Sequence, residues 1–161
     1  MEFSIRPATP ADTASVDALL QRTYPRLLKA DYLPSVLVGA IPAMTRAQPA
    51  LMSCGTYFLA EATDGAIVGA GGWTRDRRRR TKGHVRHVVT DDRTLRLGVG
   101  RALMEHSFAT AKAAGIKEME CWATLTAVRF YKAVGFREIG PMNVQLQGAI
   151  DFPAIRMERA L

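Results

Sequence analysis

Residues 85–104 read Val85-Arg86-His87-Val88-Val89-Thr90, then Asp91-Asp92-Arg93-Thr94-Leu95-Arg96-Leu97, then Gly98-Val99-Gly100-Arg101-Ala102-Leu103-Met104. An apolar run rich in β-branched residues gives way to a charged loop, and two glycines one residue apart open a helical pattern. Leu103, Met104, Ser107, Phe108 and Ala111 fall on one helical face until Gly115 ends it, which predicts strand, loop and amphipathic helix over residues 83–114. A helix start exposes unpaired N–H groups at the positive end of its dipole, and glycine lets an anion approach the main chain. Gly98 and Gly100, with Arg96 and Arg101 beside them, therefore suit a diphosphate. Close packing of helix on sheet explains a glycine pair equally well at this level. Lys and Ser/Thr do not follow the second glycine as in a P-loop, and a third glycine is missing for a dinucleotide fingerprint.

Outward from this stretch, alternation predicts strands at 2–6, 56–62, 66–74, 117–123, 136–146 and 153–158. Asp64-Gly65 between two of them signals a hairpin turn. Thr9-Pro10-Ala11-Asp12 reads as a helix start, with the helix running from Pro10 to about Thr23. A second helical region, broken by Pro34 and Pro42, covers 25–47, and a short helix covers 126–134 before Gly135. The expected class is α+β (mixed α/β): one domain over residues 1–161, with a mostly antiparallel sheet of about seven strands and about four flanking helices.

The chain has 161 residues, 48% hydrophobic and 23% charged, which suits one soluble domain. No apolar run is long enough to cross a bilayer, and the first residues lack a signal-peptide stretch. Cys54 and Cys121 are too few for a disulfide scaffold or a four-ligand zinc site, so a reducing cytoplasm and no metal are expected. A net charge of +7 favours anionic partners. Much of it sits in Arg77-Arg78-Arg79-Arg80, which raises a basic nucleic-acid-binding module as an alternative. The run has no interleaved aromatics for base stacking, and a solvated turn that attracts a cofactor phosphate is the simpler account.

About thirty residues beyond the glycine pair stands Ala127-Val128-Arg129-Phe130-Tyr131-Lys132-Ala133-Val134-Gly135-Phe136. Together the two segments resemble the GNAT family of acyl-CoA-dependent N-acetyltransferases. Leu95-Arg96-Leu97-Gly98-Val99-Gly100 matches its Gln/Arg-x-x-Gly-x-Gly/Ala loop. Residues 124–136 match its Asn-x-x-Ala-x-x-Phe-Tyr-x-x-x-Gly-Phe segment. Leu95 replaces the usual Gln or Arg, and Thr124 the usual Asn. The resemblance implies an enzyme that moves an acetyl group from acetyl-CoA to an amine; a non-catalytic CoA-binding sensor of the same fold is a further alternative. Backbone groups of Val88, Val89 and Thr90 would hold the pantetheine arm. Amides of Arg96, Leu97, Gly98, Val99, Gly100 and Arg101 would hold the diphosphate, and Thr124 would contact the cofactor. Tyr131 would protonate the departing thiolate.

For the base that deprotonates the amine, His84 and His87 are the candidates, with Glu120 third and a water relay as the alternative. Strand parity places the two histidines on opposite faces, so only one should face the acceptor. His84 is preferred, because family members carry a Glu or His base there. Cys121 has no histidine beside it in sequence and is expected in the core. Trp73 and Trp122 are expected there too, with an acceptor pocket as the other possibility. The acceptor itself is left open among amino acids, polyamines, aminoglycosides and protein amines. It would be set by residues 25–49, the 75–82 loop and the 141–153 hairpin. A homodimer through sheet edges is left open as well.

Overall fold

The computed structural model describes residues 1–146 and 150–161. Among them are seven strands: β1 Phe3–Pro7, β2 Tyr57–Ala62, β3 Ile67–Arg75, β4 Lys82–Thr90, β5 Glu118–Thr124, β6 Arg137–Leu146 and β7 Ile150–Ala160. They form one sheet in the order β1-β2-β3-β4-β5-β7-β6. Every neighbouring pair is antiparallel except β4 with β5, whose parallel pairing requires a crossover. The helices are α1 Thr13–Leu28, α2 Pro34–Met44, α3 Pro49–Ser53, α4 Val99–Ala113 and α5 Val128–Ala133. The α+β sheet of seven strands is as expected. The one-turn α3 was not expected, and neither was the length of α1. None of these helices is long and apolar enough to cross a membrane.

Both faces of the sheet are covered, so its central strands are buried throughout rather than on alternate residues. Val99, Leu103, Met104, Phe108 and Ala111 of α4 pack on Phe58, Ala60, Val68 and Trp73. On the other face Val16, Leu19, Leu20, Tyr24 and Leu28 of α1 pack on Tyr57, Leu59, Ala70 and Val89. This packing carries α1 through Pro25, where a break was expected. The bond Pro25 cannot donate would have gone to the carbonyl of Gln21, an exposed residue, while buried Tyr24 and Leu28 hold the helix on either side. The tip of the 141–153 hairpin, residues 147–149, lies outside the described residues.

Asp12 ties β1 to the start of α1. Its oxygens accept from Arg6 at 2.8 and 2.9 Å and from the Thr9 amide at 2.8 Å. The Arg6 bonds hold its carboxyl well below the usual carboxylate range, against the opposing effect of burial. A depressed pKa means the stabilisation is present above the ordinary carboxyl value, near 4, and fades as pH falls below it. Asp12→Ala is expected to cost about 2 kcal/mol at pH 7, and the difference from wild type should shrink towards pH 2. Urea unfolding across that range measures it.

Candidate active site

The parallel seam of the sheet is short. β4 and β5 pair only where Lys82, Gly83 and His84 face Glu118, Met119 and Glu120. Beyond His84 the two strands part. The cause lies in β4, where three steps from Val89 to Arg86 oppose two from Ala70 to Gly72. That extra residue is a β-bulge, which bends the strand that carries it. His87 sits within it at φ +48, a left-handed conformation uncommon in a non-glycine residue. The backbone of Val88, Val89 and Thr90 consequently lies beside β5 with no sheet partner there among the described residues.

A cavity of about 200 Å³ fills the parting. His84, Arg86 and His87 line it from β4, and Glu120, Trp122 and Thr124 from β5. The expectation that parity separates the two histidines is therefore wrong: the bulge inserts one residue between them and returns both to the α1 side. His87 Nε2 donates to the Met44 carbonyl at 2.9 Å, and its ring stacks on Tyr24 with centroids 5.8 Å apart. Burial lowers the pKa of His87, which keeps the ring neutral at neutral pH.

His84 has a different setting. Its Nε2 lies 2.7 Å from Asp76 Oδ1, and its Nδ1 lies 3.3 Å from Glu120 Oε2. Asp76 is fixed in turn: its carboxylate accepts from the amides of Arg79 and Arg78, and those bonds and His84 hold its pKa far below the ordinary value. With Nε2–H donated to Asp76, Nδ1 keeps its lone pair, and a proton arriving there meets a second carboxylate. Glu120 is already engaged by Lys82 Nζ at 3.2 Å, Arg156 Nε at 2.5 Å and Trp122 Nε1 at 3.2 Å. Burial alone would raise its pKa, but the bonds from Lys82 and Arg156 outweigh that and hold it below the ordinary value. A carboxylate so engaged is a poor proton acceptor.

Tyr131 of α5 closes the cavity floor. It is 6% exposed, and burial pushes its phenol well above the ordinary value, with Cys121, Tyr24 and Tyr57 nearby adding to the effect. Among the described residues its hydroxyl has no hydrogen-bond partner. Burial likewise pushes the Cys121 thiol up, which removes it as a nucleophile at neutral pH. Trp73 is a core residue whose Nε1 bonds Thr110, whereas Trp122 is 48% exposed and lies edge-on to His84. Trp73 thus meets the core expectation, and Trp122 does not.

At the other end of β4 a second cavity, about 500 Å³, is lined by Thr90, Arg96, Gly98, Val99, Gly100, Arg101 and Phe130. Gly98 caps α4 at φ +84, and a Cβ there would point into open space. At Gly100 a Cβ would come within 2.9 Å of Phe130. Gly98 thus leaves the helix end open, and Gly100 lets α5 close on α4, the packing that one reading of the pair expected. Arg101 reaches the Ala133 carbonyl. Asp91, 1% exposed, anchors the loop by accepting from Arg22 of α1 at 2.7 Å and from Arg93 at 3.0 Å.

The Arg77–Arg80 run forms the β3–β4 turn, at the start of β4. A strand of nine residues spans roughly 26 Å, so the run is far from the Gly98 loop and cannot serve a phosphate bound there. Asp76, Arg86 and Asp91 were missed as site residues. The hairpin register offered the one available signal, since it sets Thr74 opposite His84 and so brings Asp76 close to the imidazole.

A family model described as an acetyltransferase (GNAT) domain matches residues 38–158, well over half of the chain. The chain belongs to the GNAT family of acetyltransferases. Among solved structures it resembles a GCN5-related N-acetyltransferase from Rhodopseudomonas palustris, with TM-score 0.79, 18% identity and coverage of 100% of this chain and 97% of that one. It also resembles the PaiA N-acetyltransferase of Thermoplasma acidophilum in complex with coenzyme A (TM-score 0.76, 15% identity, 100% of both chains). Ard1 from Thermoplasma volcanium is a third (TM-score 0.70, 20% identity, 100% and 99%). No curated protein matches the sequence.

Proposed function

We propose that this acetyltransferase acts on the amine of a small acceptor by direct transfer in the β4–β5 cleft. The observation that carries the reading is the parting of the two strands. It leaves an unpaired β4 edge leading from an open glycine loop to a cavity that holds both a histidine with an available nitrogen and a buried phenol. Acetyl-CoA supplies the acetyl group as a thioester, whose carbonyl carbon the amine attacks as the C–S bond breaks.

The edge of Val88 to Thr90 that faces β5, which has no strand partner among the described residues, suits an extended arm, which it would bind as an added strand. Amides of Arg96 to Arg101 at the start of α4, with the Arg96 and Arg101 guanidiniums, suit the diphosphate. Thr124, at the end of β5, lines the same cavity and would face the arm across the cleft. His84 Nδ1 takes the proton from the attacking amine, while Asp76 holds the tautomer that leaves it available. Tyr131 keeps its proton at neutral pH and offers it to the departing sulfur, whose own proton affinity the same dry surroundings raise. His87 shapes the cleft through its backbone and takes no part in proton transfer.

Calorimetric titration with acetyl-CoA tests the reading. Gly98→Glu puts a carboxylate where the diphosphate belongs and is expected to weaken binding at least 50-fold. Both Gly98→Glu and Gly98→Ala carry the strain of a side chain at φ +84, roughly 1–2 kcal/mol, so Gly98→Ala separates strain from charge. No binding by folded wild type would overturn the reading.

A further inference from the structure

Arg86 is the one lysine or arginine lining the cavity among the described residues. Its Nε donates to Thr74 Oγ1 at 2.8 Å, which fixes the side chain on the sheet. No carboxylate forms a salt bridge with it among the described residues. Elsewhere around the cavity the charges are matched: Lys82 and Arg156 bond Glu120, and His84 bonds Asp76. Burial is the main influence lowering the Arg86 pKa, and nearby Arg77 adds to it, against the opposing pull of Asp76 and Glu120, carboxylates already engaged by His84, Lys82 and Arg156. A guanidinium held this way presents its remaining N–H groups in a planar fork that matches a carboxylate.

Resting on the proposed acetyl transfer, we infer that the acceptor is a small amino carboxylate, of the amino-acid class, whose carboxylate is bound by Arg86 while its amine faces His84. Arg86 follows His84 by two residues on the same face of β4, a separation of roughly 7 Å along the strand, so one small molecule reaches both. A polyamine or aminoglycoside would instead bring further positive charge against Arg86 and Arg77. The bound carboxylate would neutralise the one unmatched cation on the cavity wall.

The test is a thiol-release assay with acetyl-CoA and a panel of L-α-amino acids, each paired with its carboxamide, with spermidine and kanamycin as cationic arms. At least one acid is expected to be acetylated with kcat/KM on the order of 30-fold above its amide. Arg86→Gln should erase that preference by raising KM with kcat little changed, and Arg86→Lys should restore part of it. The wild-type comparison stands even if a variant fails to fold. Amides or polycations used as well as the acids, no acid used above its amide, or an unchanged preference in folded Arg86→Gln would overturn the inference. If wild type still binds acetyl-CoA by calorimetry in those cases, the acetyl-transfer reading survives and only the acceptor class falls.

Discussion

Tyr131→Phe is expected to lower kcat about 1,000-fold while leaving the acetyl-CoA Kd within about twofold of wild type. The substitution removes one oxygen from a side chain that is 6% exposed and otherwise packs against Phe130 and Phe136, so the floor of the cavity keeps its shape. A loss of this size corresponds to about 4 kcal/mol of transition-state stabilisation, within the usual range for a positioned proton donor. Because the hydroxyl has no partner among the described residues, its removal orphans no other polar group there. Stability measured by thermal unfolding should therefore be nearly unchanged. A variant that keeps more than a tenth of the wild-type rate would remove the phenol from the chemistry.

His84→Gln is expected to reduce kcat about 300-fold, and added imidazole should restore part of the activity of His84→Gly. Asp76→Asn should cost about tenfold, because the histidine keeps its nitrogen but loses the partner that selects the tautomer. His87→Gln is the informative comparison. His87 Nε2–H is committed to the Met44 carbonyl, so its loss should alter acetyl-CoA binding through the shape of β4 rather than abolish turnover. A result in which His87→Gln is the silent enzyme and His84→Gln the active one would reverse the assignment.

The fold was largely legible because its signals are local. Asp64-Gly65 marked a hairpin, with Gly65 at φ +88, and Gly115 and Gly135 ended helices in the same left-handed conformation. The short seam and its bulge were not legible. A histidine at positive φ has no sequence signature, and it alone reversed the parity argument for His84 and His87. Pro25 misled for a related reason: propensity ends a helix there, and packing of Tyr24 and Leu28 overrides it. The segments of the candidate site could be read, since glycine spacing and the aromatic pair at 130–131 lie within single elements. The charge network could not, because Asp76, His84, Glu120 and Arg156 come from a turn and three strands and meet only through sheet register.

Within the sheet the three residue pairs between β4 and β5 also have a mechanical meaning. Among the described residues they are the only strand pairing between a four-strand plate, β1 to β4, and a three-strand plate of β5, β7 and β6. Any load carried across the sheet must pass through that stitching or around it through the helices. An extended cosubstrate laid against the open edge at residues 88–90 would lengthen the stitching towards the far end, where the facing edges of β4 and β5 have no strand partner among the described residues. On this view the reactant that supplies the acetyl group would also act as a rivet between the two plates of the sheet.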